Sequence, residues 1–316
     1  MSNDADLRRG YIYGLGAYFL WGVFPLYWSL LRPASATEVV AHRIVWSLVT
    51  MLLLLWKARS FRNLLATARD VRVTGLLTLA ACLLGVNWVI FIWAVNVHRV
   101  VEVSLGYFIN PLFTVVLGVV LFAERLRPAQ WVAVAVASLA IAVLTIDYGR
   151  LPWIALVLAG TFGIYGLCKK SVGASVGAVD SLAIETAALA GPAMAVLVVM
   201  QINGTLTFGH HSAGNTLLLL TTGVITSIPL LLFGAAARRL PLSTLGFLQY
   251  LAPVLQFTVG VWIEHEAMPT ARWIGFALVW VALAILSVES LMHSRRSPQA
   301  EAPQPDPFTA EVIELA

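Results

Sequence analysis

The chain has 316 residues, of which 59% are hydrophobic and only 11% are charged, and its formal net charge is +4. A soluble domain carries roughly a quarter charged residues, so this chain could not cover its surface with polar groups in water. The positive charge is spread as short clusters between apolar runs, which is typical of membrane topology signals and not of a nucleic-acid surface. Composition therefore excludes a soluble domain and indicates a protein embedded in the lipid bilayer, with no nucleic-acid partner.

The apolar runs predict ten membrane-spanning helices. A helix rises about 1.5 Å per residue, so crossing about 30 Å of hydrocarbon takes roughly 20 mostly apolar residues. The fold class indicated is an all-α membrane protein. The predicted spans are residues 11–31, 38–56, 73–96, 100–123, 128–147, 152–169, 180–202, 216–237, 242–264 and 272–292. Residues 1–10 are predicted to form a cytoplasmic N-terminus, and residues 293–316, rich in Pro, Gln and acids, a disordered cytoplasmic tail.

The loops between these spans predict the orientation. Cytoplasmic loops of membrane proteins are enriched in Lys and Arg. If the N-terminus is cytoplasmic, most of the 20 Lys and Arg residues fall in the two terminal segments and in the loops after every second span. One span more or fewer would place all the later clusters of Lys and Arg on the outer side of the membrane. The pattern therefore predicts ten spans with both termini in the cytoplasm.

The two halves of the chain resemble each other. The segment PLFTVVLGVVLFAERLRPAQW from Pro111 aligns with PVLQFTVGVWIEHEAMPTARW from Pro253, and the alignment pairs Trp131 with Trp273. Five spans per half is an odd number, so the two copies must lie in opposite orientations, as inverted-topology repeats do. The sequence predicts a 5+5 inverted-topology repeat in which residues 11–150 and 151–292 are the two five-helix units.

Several longer motifs resemble a known family. The segment NWVIFIWAVNVHRVVEVSLGYFINPLFTVVLGVVLFAERL, from Asn87 to Leu126, resembles the signature region of the RarD proteins, in the EamA branch of the drug/metabolite transporter (DMT) superfamily. GLGAYFLWGVFPLYW, EVVAHRIVWSL and GFLQYLAPVLQFTVGV are similar to that family too, and the resemblance covers residues 10–292. It implies ten helices in an inverted repeat and secondary transport across the bacterial plasma (inner) membrane.

Three charged residues inside the predicted spans are candidate gating or coupling groups. A charge at a helix centre costs roughly 2.5–3.5 kcal/mol on insertion scales, so each such residue is expected to have a structural or functional role. Arg43 and Glu102 lie near the outer ends of their spans. They either pair or reach the interface, or they line and gate an outward-facing cavity. Glu185 lies near the cytoplasmic end of the seventh span. It either pairs with one of the basic residues at the same depth, or it couples proton movement. Those basic residues are Lys169, Lys170, Arg238 and Arg239.

Polar and aromatic side chains at mid-membrane depth are predicted to line a substrate cavity. Asn and Gln can hydrogen-bond polar substrate groups, and aromatic rings offer apolar or cation–π surface. The alternative is ordinary bonding and packing between helices. The candidates are Trp21, Asn87, Trp88, Trp93, Asn96, Tyr107, Asn110, Tyr165, Gln249 and Tyr250. Pro111 and Pro253 each remove a backbone donor within a span and are predicted to kink their helices.

These features favour a secondary transporter of a small-molecule substrate (a metabolite, an amino acid or a drug) that works by alternating access. No Walker-type nucleotide motif is present, which argues against ATP-driven transport. The alternatives are a polytopic membrane enzyme and a channel or scaffold without transport activity. His210, His211 and His265 show no metal-ligand motif, so we expect no enzyme, no metal site and no cofactor. The sequence leaves open proton coupling and the choice between a monomer and a homodimer.

Overall fold

The computed structural model describes residues 2–59, 61–122, 126–172, 176–237, 239–240 and 242–296. Within these ranges all regular secondary structure is helical, so the predicted all-α class is confirmed. The elements are α1 (Ser2–Leu30), α2 (Ala36–Ala58), α3 (Phe61–Ala68), α4 (Val71–Asn96), α5 (Val100–Phe122), α6 (Pro128–Tyr148), α7 (Trp153–Val172), α8 (Ala178–Ile202), α9 (Ala213–Ala237), α10 (Leu242–Leu248), α11 (Leu251–Thr258), a π-helical turn (Val259–Ile263) and α12 (Thr270–Arg296).

Both predicted terminal segments differ from the structure at their boundaries. Helix α1 already begins at Ser2, so the segment predicted as a cytoplasmic N-terminus, residues 1–10, is helical from its second residue. Helix α12 continues to Arg296, four residues into the predicted tail. Residues 297–316 of that tail lie outside the described residues.

Seven of the described helices are long and apolar enough to cross a membrane, namely α2, α4, α5, α6, α8, α9 and α12. Two further apolar stretches, Trp153–Lys169 and Leu251–Ile263, are shorter. Helix α1 has 29 residues, but its many Tyr, Trp and Gly residues lower its mean hydropathy. Length and composition therefore identify a multi-pass membrane protein.

The predicted ninth span, residues 242–264, is not one continuous helix. Two residues, Gln249 and Tyr250, separate α10 from α11, and α11 ends in the π-helical turn. The cause of the break is Pro253: it has no N–H to bond the carbonyl of Gln249, four residues earlier, and its ring crowds that carbonyl. Pro253 thus occupies the first turn of α11, where a missing N–H costs little. Pro111, in contrast, lies inside α5.

Local side-chain bonds fix where several helices begin. The Ser35 side chain accepts a hydrogen bond from the Glu38 N–H at 3.2 Å and caps α2. Asp70 caps α4 by accepting from the N–H groups of Arg72 and Val73, at 3.0 and 3.1 Å. Because the first N–H groups of a helix lack partners within it, Ser and Asp are favoured at these positions.

The helices of the two halves are interleaved. Helix α2 packs against α8, α5 against α11, and α6 against α12. Helix α1 packs against α9 and α11, while α7 packs against α4 and α5. Helix α2 also packs against α9, and α4 against α8. Buried apolar side chains of α1, α2, α4, α5 and α7 share one core, which includes Trp28, Ile92 and Leu158.

Small residues let some of these helices approach at backbone distance. A Cβ added at Gly223 in α9 would overlap the backbone carbonyl group of Trp46 in α2. A Cβ added at Gly106 in α5 would lie 2.9 Å from the carbonyl oxygen of Ala155 in α7. Glycine has no side chain and so allows such close packing. Helices in lipid depend on close packing for their association, because no hydrophobic force drives them together there.

Candidate functional site

A buried arginine lies at the centre of the candidate site. Arg43 in α2 is only 4% exposed. Its guanidinium carbon lies over the ring of Trp88 in α4, 3.8 Å from the ring centroid. The rings of Trp28 and Phe24, both in α1, follow at 4.9 and 5.9 Å. Three aromatic rings from two neighbouring helices therefore hold one cation by cation–π interaction.

Arg43 has no counter-charge in the part of the chain that the structure describes. Its buried Nε atom has no hydrogen-bond partner, and no described carboxylate forms an ion pair with it. Arginine keeps its charge in proteins, so the cost of burying Arg43 is not relieved by loss of a proton. An unpaired charge at this depth is costly, and the aromatic rings offset only part of the cost.

Asn87 and Tyr107 form a hydrogen-bonded pair beside this arginine. Asn87 in α4 is 1% exposed, and its Oδ1 accepts from the Tyr107 hydroxyl of α5 at 3.1 Å. Its Nδ2 donates to the Leu158 carbonyl at 3.1 Å and to Thr161 Oγ1 at 2.9 Å, both in α7. The Tyr107 phenol lies within electrostatic range of Arg43. Trp28, Arg43, Asn87, Trp88 and Tyr107 are called the arginine cluster below.

The arginine cluster unites four residues singled out from the sequence with one residue, Trp28, that the sequence analysis missed. Phe24 and Trp28 were not predicted. Their spacing of four residues on α1, which places both rings on one helix face, is the signal that could have found them. Tyr27 was missed too: its hydroxyl donates to the Leu218 carbonyl of α9 at 2.6 Å and lies within electrostatic range of Arg43.

Two of the predicted cavity residues lie near the cluster without joining it. Trp21, two turns before Trp28 on α1, packs against Tyr18 and Phe233, with ring centroids 5.4 and 5.7 Å away. Asn110 lies one turn after Tyr107 on α5, and its Oδ1 is buried without a described hydrogen-bond partner.

The remaining predicted cavity residues lie elsewhere. Trp93 pairs with Trp153 at 5.5 Å and is 37% exposed, near the end of α4. Asn96 ends α4 and donates to the Ala34 carbonyl at 3.5 Å. Tyr165 packs against Phe162 in α7 and lies near Glu185. Gln249 and Tyr250 occupy the break between α10 and α11.

Both candidate carboxylates are paired. Glu102 at the start of α5 binds Arg150 through two hydrogen bonds of 3.1 and 2.6 Å. The alternative in which Arg43 pairs with Glu102 is therefore wrong. Glu185 in α8 forms an ion pair with Lys169 at 2.5 Å and accepts from Ser181 at 3.0 Å, so the structural ion pair considered for it is present.

Two further carboxylates, one buried and one partly buried, were missed by the sequence analysis. Glu38 is fully buried, and its Oε1 accepts from the N–H groups of Thr207 and Phe208, at 2.8 and 3.0 Å. Glu266 precedes α12 and accepts hydrogen bonds from the N–H groups of Val100 and Val101, the first two residues of α5. Each acid thus joins one half of the chain to the other. Their partners are more than 160 residues away in the sequence, and no local pattern identifies such a partner.

A polar cavity of about 360 Å³ lies among the loops at the start of α5. We call it the loop cavity; its walls include Glu102, Tyr148, Arg150, Glu264, Glu266 and Arg272. Burial raises the pKa of Glu266 to about 7, against the opposing effects of its two backbone donors and of Arg272. Among the residues described by the structure, no group of three His, Cys, Asp or Glu side chains could hold a metal ion.

Comparisons with known proteins agree with this architecture. Residues 8–146 match the EamA-like transporter family. The chain is 51% identical to Protein RarD of Streptomyces exfoliatus, over 94% of each chain. It is 43% identical to an uncharacterized transporter of Pseudomonas aeruginosa, over 93% of this chain and 98% of that one.

A solved crystal structure shares the fold at 20% identity, with a TM-score of 0.56 over 88% of this chain and 97% of that chain. The relatives are similar over nearly their whole length, and the second is named a transporter. The chain therefore belongs to the RarD proteins of the EamA-like transporter family, within the drug/metabolite transporter superfamily.

Proposed function

We propose that the chain is a secondary transporter that moves small organic molecules across the bacterial plasma membrane by alternating access. The observation that carries this proposal is the arginine cluster. A charge inside a bilayer costs roughly 2.5–3.5 kcal/mol on insertion scales, and such charges usually mark substrate or ion pathways. Arg43 is buried and has no described counter-charge, while a relative of the chain is named a transporter.

The finer architecture that we propose is a 5+5 inverted repeat with ten spans. This architecture is supported by the packing of the helices, because each helix of one half packs against helices of the other half in a reciprocal pattern. Helix α1 packs on α9 and α11, and its counterpart α7 packs on α4 and α5, the counterparts of those two helices. Helices α2 and α8, α5 and α11, and α6 and α12 pack each against its own counterpart. Two copies related by a two-fold axis in the membrane plane produce such a pattern.

The equal distance of two buried charges from the starts of their helices supports the repeat as well. Arg43 lies seven residues after the start of α2 at Ala36, and Glu185 seven residues after the start of α8 at Ala178. At about 1.5 Å per residue each charge lies roughly 10 Å inside its helix end. If α2 and α8 start on opposite sides, the two charges lie at equal depths from opposite faces.

Exchange in liposomes tests the transport function. Purified protein is reconstituted into vesicles preloaded with one unlabelled compound from a panel of amino acids, organic acids, amines and neutral drugs, and entry of the same labelled compound is followed. We expect saturable counterflow for at least one compound. Protein-free vesicles and vesicles with heat-denatured protein are the controls. Absence of counterflow for the whole panel would contradict the proposal.

Cysteine labelling tests the topology, in a background in which Cys82 and Cys168 are replaced by alanine. Leu151 follows the fifth predicted span and is 59% exposed, and Val71 precedes the third and is 85% exposed. We propose that the first lies outside the cell and the second inside. A membrane-impermeant maleimide should label Leu151→Cys in intact spheroplasts, and Val71→Cys only after lysis. Equal labelling of both would rule out five spans per repeat.

A further inference from the structure

Within the described ranges, three carboxylates near helix ends are each paired with a cation, whereas the buried Arg43 is paired with no anion. Glu102 is neutralised by Arg150, Glu185 by Lys169, and Asp147 by Arg272, at 2.6, 2.5 and 3.0 Å. Glu38, the buried acid of α2, receives three hydrogen bonds on Oε1 from Thr207 and Phe208 in the loop before α9, while its Oε2 has no described hydrogen-bond partner. Arg43 is therefore the buried cation for which the described residues supply no anion.

The aromatic contacts of Arg43 leave its hydrogen-bonding edge available. A separation of 3.8 Å between the guanidinium carbon and the Trp88 centroid leaves no room for an N–H to point at the ring, so the two groups are stacked. Stacking uses the flat face of a guanidinium. The N–H groups point outward in the plane, where they match the two oxygens of a carboxylate. The buried Nε on that edge has no described partner.

The groups around this edge are mostly apolar. Phe24 and Trp28 flank the guanidinium, and Phe91 and Phe162 pack edge-on against the ring of Tyr107, at 6.1 and 5.9 Å. The Asn87 amide uses its donors and its oxygen within the protein, so it holds Tyr107 in place in this state. A ligand here would meet one cation and several aromatic surfaces.

We infer that the edge of Arg43 binds the carboxylate of the transported molecule, and that the substrate is a small organic acid with an apolar or aromatic body. This inference rests on the proposed transport function and specifies its substrate class. The anion supplies the counter-charge that no described residue gives to Arg43, and the rings accept the body of the molecule. A substrate of this kind makes its strongest contact where the protein otherwise buries an uncompensated charge.

Matched pairs of ligands test the inference directly. Benzoate, phenylacetate and N-acetylphenylalanine are compared with their primary amides, which have nearly the same shape and no charge. Binding to purified protein is measured by thermal stabilisation and by quenching of tryptophan fluorescence, because Trp88 stacks on the guanidinium. We expect at least one acid to bind tenfold or more tightly than its amide. Equal binding of acids and amides, or binding of no acid, would overturn the inference.

Variants of two arginines locate the binding site. Arg43→Gln should abolish the preference for the acid, and Arg43→Lys should weaken it at least tenfold, because lysine keeps the charge but lacks the planar fork. Arg239→Gln is the matched control, since Arg239 also lies over an aromatic ring, Tyr13, at 5.5 Å, but outside the arginine cluster. If Arg43→Gln fails to fold, the preference for the acid measured with Arg43→Lys provides the test. Wild-type preference in a folded Arg43 variant would refute the assignment.

The same vesicles separate this inference from the proposed function. Counterflow of amines or neutral compounds with no carboxylate exchanged would overturn the substrate class and leave the transporter in place. Carboxylate binding that depends on Arg43 in a protein that exchanges no compound would support the anion site and remove the transport function.

Discussion

Replacing Glu266 by glutamine should abolish part of the pH dependence of folding stability. The Glu266 carboxylate receives the first N–H groups of α5, from Val100 and Val101, in a partly buried position before α12. Burial raises its pKa from 4.5 to about 7, the nearby Glu264 adds to the rise, and Arg272 and the two N–H donors oppose it. Glutamine keeps an oxygen for the same donors and cannot ionise.

The sign and size follow from the pKa. The folded protein holds this proton to higher pH than the unfolded chain, so protonation favours folding. The stabilisation is complete below about pH 4.5 and is lost as the pH rises through about 7. A difference of about 2.5 pKa units at about 1.4 kcal/mol each amounts to about 3.5 kcal/mol. For a chain of this size that corresponds to a melting shift on the order of 5 °C or more.

Thermal melting of wild type and Glu266→Gln in detergent, from pH 5 to pH 8.5, measures the effect. The difference between the two proteins cancels most other titrating groups. It should be small at pH 5 and should grow in favour of the variant towards pH 8.5. Asp70→Asn is the control, because Asp70 caps α4 through the same type of bond but is exposed. Parallel curves for wild type and Glu266→Gln at every pH would refute the reasoning.

Two other perturbations have defined outcomes. Gly223→Ala places a Cβ on the backbone carbonyl of Trp46, which cannot rotate away, so the cost should exceed the about 1–3 kcal/mol typical of overpacked cores. Melting should be strongly lowered, whereas Gly75→Ala, with open space around its Cβ, should melt as wild type does; equal melting would count against the close contact. In the Lys169–Glu185 pair the acid side chain is 3% exposed and the lysine 32%. Lys169→Gln should therefore lower the melting temperature more than Glu185→Gln, because it leaves the more deeply buried charge unpaired; the reverse order would contradict this.

Properties that depend on one stretch of chain were predictable from the sequence. Apolar length gave the helical class and most span positions to within a few residues. The break at Gln249 was the exception within this group. Its cause, Pro253, was identified as a kink, but the sequence does not show whether a proline bends a helix, as Pro111 can inside α5, or divides it.

Partners distant in sequence were much harder to predict. Depth in the membrane gave four possible basic partners for Glu185, and Lys169, one of the four, is the residue that pairs with it. Depth alone also allowed Arg43 to pair with Glu102, whereas Arg150 takes that acid. Counting residues shows which side chains lie at the same membrane depth. Contact between them depends also on how each helix is rotated about its own axis. The sequence pattern of one helix does not fix its rotation relative to the others.

The contact between Gly223 and Trp46 has a consequence for motion. No side chain lies between the two backbones, so nothing at this point can repack to let one helix slide past the other. Helices α2 and α9 come from different halves of the chain, yet they must travel as a single body. Any rearrangement of the bundle therefore has its shearing surfaces away from this contact, and the unit that contains α2 and α9 combines helices from both halves of the chain.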